Sequence, residues 1–129
     1  MPDVRLRGGL PFVTVELTFR DSALQLDHVL IDTGSGSCVF SADRLFDIDV
    51  RFERGDPIHR IRGVGGTEFV FGKRVDLLAL GDLVIENFEV EVGLMEYGFE
   101  LDGILGMNFL LAVGAVLDLS ALKITLADT

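Results

Sequence analysis

The sequence contains no tryptophan and one cysteine, Cys38, in 129 residues. A lone cysteine excludes an internal disulfide, and with only two histidines, His28 and His59, a metal site is not expected. Long hydrophobic runs are missing as well. The longest apolar stretch, Phe109 to Leu117, has nine residues and holds Gly114, too short to cross a bilayer as a helix. The opening residues, MPDVRLRGGLPF, include no apolar segment of the kind a secretory leader needs, so a cytoplasmic location is the expectation. Basic residues are few: 11 Lys and Arg stand against 21 Asp and Glu, for a formal net charge of −10. Nucleic acid or an anionic membrane would meet a repulsive field. Arg51, Arg54, Arg60, Arg62, Lys73 and Arg74 are interrupted by Glu53 and Asp56 and bring no aromatic ladder with them, so neither is expected as a partner.

What the chain does contain is apolar residues, at 49%, with fifteen glycines and ten phenylalanines. That composition belongs to a globular protein, and residues 1–129 suit one domain with its own core. With metal and disulfide chemistry set aside, any reaction must rest mainly on carboxylates and hydroxyls.

Period-two alternation dominates. VTVELTF sets Val13, Val15, Leu17 and Phe19 against Thr14, Glu16 and Thr18, a half-buried strand. Arg20, Asp21 and Ser22 make a turn, and a second strand from Ala23 becomes fully apolar at Val29, Leu30 and Ile31. Ser41 is a suitable N-cap for a short helical turn over Ala42 to Phe46, and DIDVRFERGDP reads as irregular strand and loop. Ile58 to Arg62 and Thr67 to Phe71 flank GVGG, which predicts a hairpin with a glycine-rich tip. A second hairpin turns at Gly81 and Asp82, and NFEVEV alternates after it. Only Gly106 to Gly114 has a helical pattern, with Gly114 as its stop. Two short strands, Val116 to Leu119 and Lys123 to Leu126, close a mostly β domain with one real helix.

Within this pattern, VLIDTGSGSCVF runs an apolar strand into Asp32. A carboxylate there is costly unless something uses it. Gly34 allows close backbone approach, and the hydroxyls of Thr33 and Ser35 can donate to the carboxylate and keep it ionised. The bland reading is an ordinary turn, since Asp, Gly and Ser are common there. Other candidates are weaker. GVGGTEF lacks the spacing of a nucleotide-binding glycine loop and precedes a strand. Asp47 and Asp49 have calcium-loop spacing, but Arg51 and Phe52 occupy positions needing an oxygen ligand and a glycine, which leaves a solvated acidic loop. Cys38 reads as a small packing residue, His28 as an ordinary strand residue and Asp102 as a turn residue. Tyr97 and Phe99 suit a pocket wall or the core equally well.

Three features combine: D-T-G-S after VLI, a later glycine-tipped hairpin, and GILG (Gly103 to Gly106) before a helix. In that order they resemble the aspartic peptidases, specifically the single-domain retropepsin-like branch, from about Phe12 to Leu126. The resemblance implies a retropepsin-like acid-protease fold, mostly β with one C-terminal helix, acting as a symmetric homodimer on peptide or protein substrates. Asp32 corresponds to the catalytic aspartate, Thr33 to the threonine that bonds across to the partner loop, and Gly34 to the end of the motif. Ser35 and Gly36 fall at substrate-binding positions. Gly63, Val64, Gly65 and Gly66 correspond to the tip of the flap that covers a bound peptide. Ile104, Leu105 and Gly106 resemble the segment that packs beneath the catalytic loop.

One D-T-G per chain supplies half of a two-aspartate site, so the resemblance implies a second copy and no metal or organic cofactor. Ser35 replaces a usual viral alanine, and a hydroxyl donating to the dyad implies an acidic optimum. Gly36 and Met107 replace an aspartate and an arginine that pair in viral enzymes, which points to a cellular or retroelement-derived relative. Two functions follow: an aspartic endopeptidase, or a silent homodimer of the same fold that binds peptides or serves as an interaction module. A dimer would carry −20, by doubling −10, so strongly acidic substrates are disfavoured.

Overall fold

The computed structural model describes residues 3–63, 66–95 and 100–126. Its elements are β1 (Arg5–Arg7), β2 (Leu10–Phe19), β3 (Ser22–Ile31), β4 (Val39–Ser41), α1 (Ala42–Leu45), β5 (Ile58–Gly63), β6 (Gly66–Leu80), β7 (Leu83–Gly93), β8 (Gly103–Leu105), α2 (Met107–Val113), β9 (Ala115–Asp118) and β10 (Lys123–Leu126). The mostly β reading holds. There are two short α-helices rather than one, because Ser41 accepts the Arg44 amide on its side chain and turns Ala42–Leu45 into a full helical turn. Gly114, at φ +64, stops α2 as its position suggests.

Three local readings need correction. Arg5–Arg7 is a strand, folded back on β2 through Gly8 and Gly9, whose φ of +57 and +79 only glycine adopts without strain. Residues 47–57 contain no strand: α1 runs into a 3-10 turn over Phe46–Ile48, which Asp49 ends in the left-handed region. The second arm of the Gly81 hairpin and NFEVEV form one continuous strand, β7. Asn87 interrupts its twist at φ +51, where its carbonyl accepts the Arg74 guanidinium.

Eight strands form one sheet in the order β1-β2-β3-β8-β4-β7-β6-β5, and a further β2–β6 pairing curls it back on itself. β9 and β10 form a separate ribbon, joined to the N-terminal segment by a bridge between Asp3 and Lys123. Strand register sorts the side chains into two faces. Val13, Val29, Gly103, Phe40 and Val92 stand in one row across β2, β3, β8, β4 and β7. This face is the principal core, where Phe40, Leu105 and Phe109 of α2 are fully buried, each stabilising the fold by about 2 kcal/mol. Gly103 has no side chain because the Phe40 ring fills that space, and a side-chain carbon there would also lie 2.9 Å from Val39 O.

Phe12, Leu30, Ile104, Val39 and Glu91 form the neighbouring row on the opposite face. The β5–β6 hairpin, with Gly63 paired to Gly66, extends from the far edge of the sheet. His59 and Ile61 are less exposed than Ile58 and Arg60, and His59 Nδ1 lies 3.3 Å from Glu91 Oε1 of β7 on this second face. Lys73, written into the sequence as one of a run of basic residues, is 5% exposed and paired with Glu53 and Asp56, which ties the 51–57 loop to β6.

Candidate active site

Asp32 sits one residue past the end of β3, held by its backbone amide on Leu105 O at 3.0 Å. Continued one step beyond β3, strand alternation carries its side chain to the face of Leu30, away from the helix-covered core. The carboxylate is half-buried, and the Gly34 amide donates to Oδ1 at 2.9 Å. A side-chain carbon at Gly34 would lie 3.2 Å from the same oxygen, so the motif requires glycine there for close approach. The bond expected from hydroxyls comes from a backbone amide. Ser35 Oγ instead donates to Ser37 O at 2.7 Å, which removes the basis for expecting this hydroxyl to acidify the site. The Thr33 side chain is exposed and makes no hydrogen bond among the described residues.

The loop is anchored from below by α2. Met107 donates its amide to Ser35 O at 2.8 Å, and the Gly106 amide donates to Cys38 Sγ at 3.3 Å. The Cys38 thiol reaches Asn108 Oδ1 at 3.3 Å, and the same oxygen accepts the Phe109 amide. Burial pushes the Cys38 thiol up to about 11, so it stays protonated and acts in packing, as its sequence context suggests. Gly36 has open space around it, while Gly106 is wedged against the carbonyls of Ser35 and Ser37. Asp32, Thr33, Gly34, Ser35 and Gly36 therefore form one loop resting on Ile104, Leu105 and Gly106. Gly63 pairs with Gly66 at the end of the β5–β6 hairpin. Val64 and Gly65, with Tyr97 and Phe99, lie outside the described residues.

A groove of about 370 Å3 is lined by Arg7, Gly8, Leu10 and Phe12. Phe12 pairs with Leu30, two residues before Asp32, and Leu10 pairs with Arg7 of β1. This flank was invisible in the sequence, because β1 is three exposed residues, too short for a pattern to mark it.

A second cluster lies behind the loop. Asp102 is 3% exposed, and it is the hub of an ion cluster rather than a turn residue. Its Oδ1 accepts Arg44 at 2.8 Å, its Oδ2 accepts the His28 amide at 3.0 Å, and its own amide donates to His28 O at 2.8 Å. His28 lies in β3, in keeping with its reading as a strand residue, and its Nδ1 stands 3.4 Å from Asp102 and 3.6 Å from Glu100. Ligand atoms of His28, Glu100 and Asp102 fall within 4.8 Å of one another, the spacing of a cation site. Arg44 already supplies the cation, and a metal would meet both its charge and its hydrogen bond. The cluster positions β3 four residues before Asp32 against α1.

The comparisons with known proteins agree with this geometry. The family model described as aspartyl protease matches residues 15–109. A search among curated proteins finds no match. Among solved structures, a retropepsin-like aspartic protease from Rickettsia conorii superposes with a TM-score of 0.68 at 17% identity, over 96% of this chain and 87% of that one. At that identity the likeness speaks for the fold.

Proposed function

This chain belongs to the aspartyl protease family, with a retropepsin-like fold, and from that premise we propose that it is an endopeptidase whose active site forms between two copies of the chain. The observation that carries the reading is the placement of Asp32: a half-buried carboxylate one residue past β3, its amide on Leu105 O and its Oδ1 held by the Gly34 amide in a glycine loop. One D-T-G per chain supplies one carboxylate, and a two-fold axis beside Asp32 supplies the other.

Two carboxylates about 3 Å apart cannot both ionise, so they hold one proton between them. The ionised member takes a proton from a water held between them, and that oxygen attacks the scissile carbonyl. The protonated member donates to the carbonyl oxygen as the tetrahedral intermediate forms. Collapse of the intermediate returns a proton to the departing amine. The Gly34 amide fixes the orientation of Oδ1 throughout, and the exposed Thr33 hydroxyl is free to bond to the partner's loop. Leu30, Ile104 and the groove at Leu10 and Phe12 offer apolar walls to an extended peptide, under the hairpin that ends at Gly63 and Gly66.

The test is cleavage of a diverse peptide library by the native chain and by Asp32→Asn, at steps between about pH 4 and 7, with molecular mass in solution measured in parallel. Cleavage by a dimer that Asp32→Asn abolishes is the expected result. A strictly monomeric chain, or a folded dimer that cuts nothing at any pH, overturns the proposal.

A further inference from the structure

On the sheet face that carries Asp32, the fold leaves a second carboxylate only half matched. The Glu91 side chain is 14% exposed. Its Oε1 lies 3.3 Å from His59 Nδ1, while Oε2 is buried and has no hydrogen-bond partner among the described residues. Buried acceptors are nearly always matched in folded proteins, so an orphaned carboxylate oxygen points to a group that arrives from outside. Its position fits such a guest. Glu91 pairs with Val39, Val39 with Ile104 and Ile104 with Leu30, which places it three strands from the end of β3 on the face of the proposed cleft. Three strand spacings are roughly 14 Å, the length of about four extended residues. His59 belongs to β5 of the β5–β6 hairpin, so its contact with Glu91 joins that hairpin to this face of the sheet.

Charge selects the guest. The row from Phe12 to Val39 is apolar, His59 is the one titratable group touching the Glu91 carboxylate among the described residues, and Glu89 on the same face stands opposite Arg74, so the two balance. The unpartnered Glu91 Oε2 and the −10 on the whole chain both favour a cation. We infer that Glu91 is a specificity-determining residue that binds a lysine or arginine side chain of the substrate, within about four residues of the scissile bond. This rests on the peptide-cleaving reading and adds a substrate class to it: peptides with a basic residue at one fixed position among apolar ones.

Binding separates the two claims, because Asp32→Asn removes turnover while leaving the cleft. A peptide set in which one position at a time is Lys, Arg, norleucine or Glu is titrated against full-length Asp32→Asn by fluorescence anisotropy, and cut sites are mapped with the native chain. At one position, Lys and Arg should bind roughly tenfold to a hundredfold tighter than norleucine, and Glu more weakly still. Adding Glu91→Gln should bring the lysine peptide down to the norleucine peptide. Glu91→Leu, which fills the same space without an orphaned oxygen, gives a second folded variant with the same expected loss. Equal binding of Lys and norleucine at every position overturns the inference, as does a basic preference that survives both substitutions. Native protein that shows the basic preference but cuts nothing leaves the inference standing and overturns the endopeptidase reading.

Discussion

The Arg44 guanidinium holds the buried Asp102 carboxylate at 2.8 Å, across 58 residues of sequence. Asp102 also takes the His28 amide, so one side chain fastens α1 and β3 to the strand that leads into Ile104. Arg44→Met strands a buried charge, and we expect a loss of about 3 kcal/mol in urea unfolding. Arg44→Met with Asp102→Asn should recover part of that loss, since the charge then leaves with its partner. A double variant no more stable than Arg44→Met would mean that the ion pair contributes little.

Gly106 sits so close to the Asp32 loop that a side-chain carbon would lie 2.9 Å from Ser35 O and nearer still to Ser37 O. Gly114, by contrast, has open space but a φ of +64. Gly106→Ala must therefore displace backbone, and a loss of about 3 kcal/mol or more, together with lost peptide cleavage, is expected. Gly114→Ala pays only for the left-handed conformation, about 1 kcal/mol. Thermal melts of both variants would check the order, and equal losses would contradict it.

Lys73 sets an acid limit on stability. Its hydrogen bond lowers Glu53 below the usual carboxylate range, with its charge and Arg20 adding to the effect. Partial burial works to raise Asp56, but the Lys73 bond, the Glu53 amide and nearby positive charge outweigh it and leave it lowered. Carboxyls depressed in the folded state contribute stability above their unfolded values of 4.5 and 3.8, and that contribution is lost as pH falls through the lower folded values. The melting temperature should therefore drop below about pH 4, and Lys73→Met should flatten that drop. An unchanged acid slope in Lys73→Met would assign the acid sensitivity to other groups.

Cys38 gives a reporter of unfolding. With its thiol raised to about 11 by burial, about one part in a thousand is thiolate at pH 8. Iodoacetamide should label the native chain only as fast as it opens, and fully in urea. The same raised value adds stability below the ordinary thiol value of 9.0, lost as pH climbs toward 11. Rapid labelling of the folded chain would show that the loop does not rest on α2 as described.

Much of this architecture was legible because it is local. Alternation at Val13 to Phe19, the Ser41 cap, the Gly114 stop and the glycine-flanked hairpin each depend on residues a few positions apart, where backbone geometry and side-chain period leave few options. The D-T-G and GILG segments were legible for the same reason, since a strand end, a close-approach glycine and a helix start are short-range events. The short β1 strand escaped notice because it is three residues long and exposed throughout, and only pairing with β2 makes it a strand.

What sequence alone determined is the mostly β character, the single D-T-G motif at Asp32 and the net charge of −10. Tertiary structure decided which polar groups are buried and with whom. Asp102 reads as a turn until Arg44 and His28 close on it, Lys73 reads as surface until Glu53 and Asp56 reach it, and Glu91 reads as the polar side of a strand until the hairpin brings His59 over it. Charges and hydrogen bonds act through space over a few ångströms, whereas sequence patterns report neighbours along the chain.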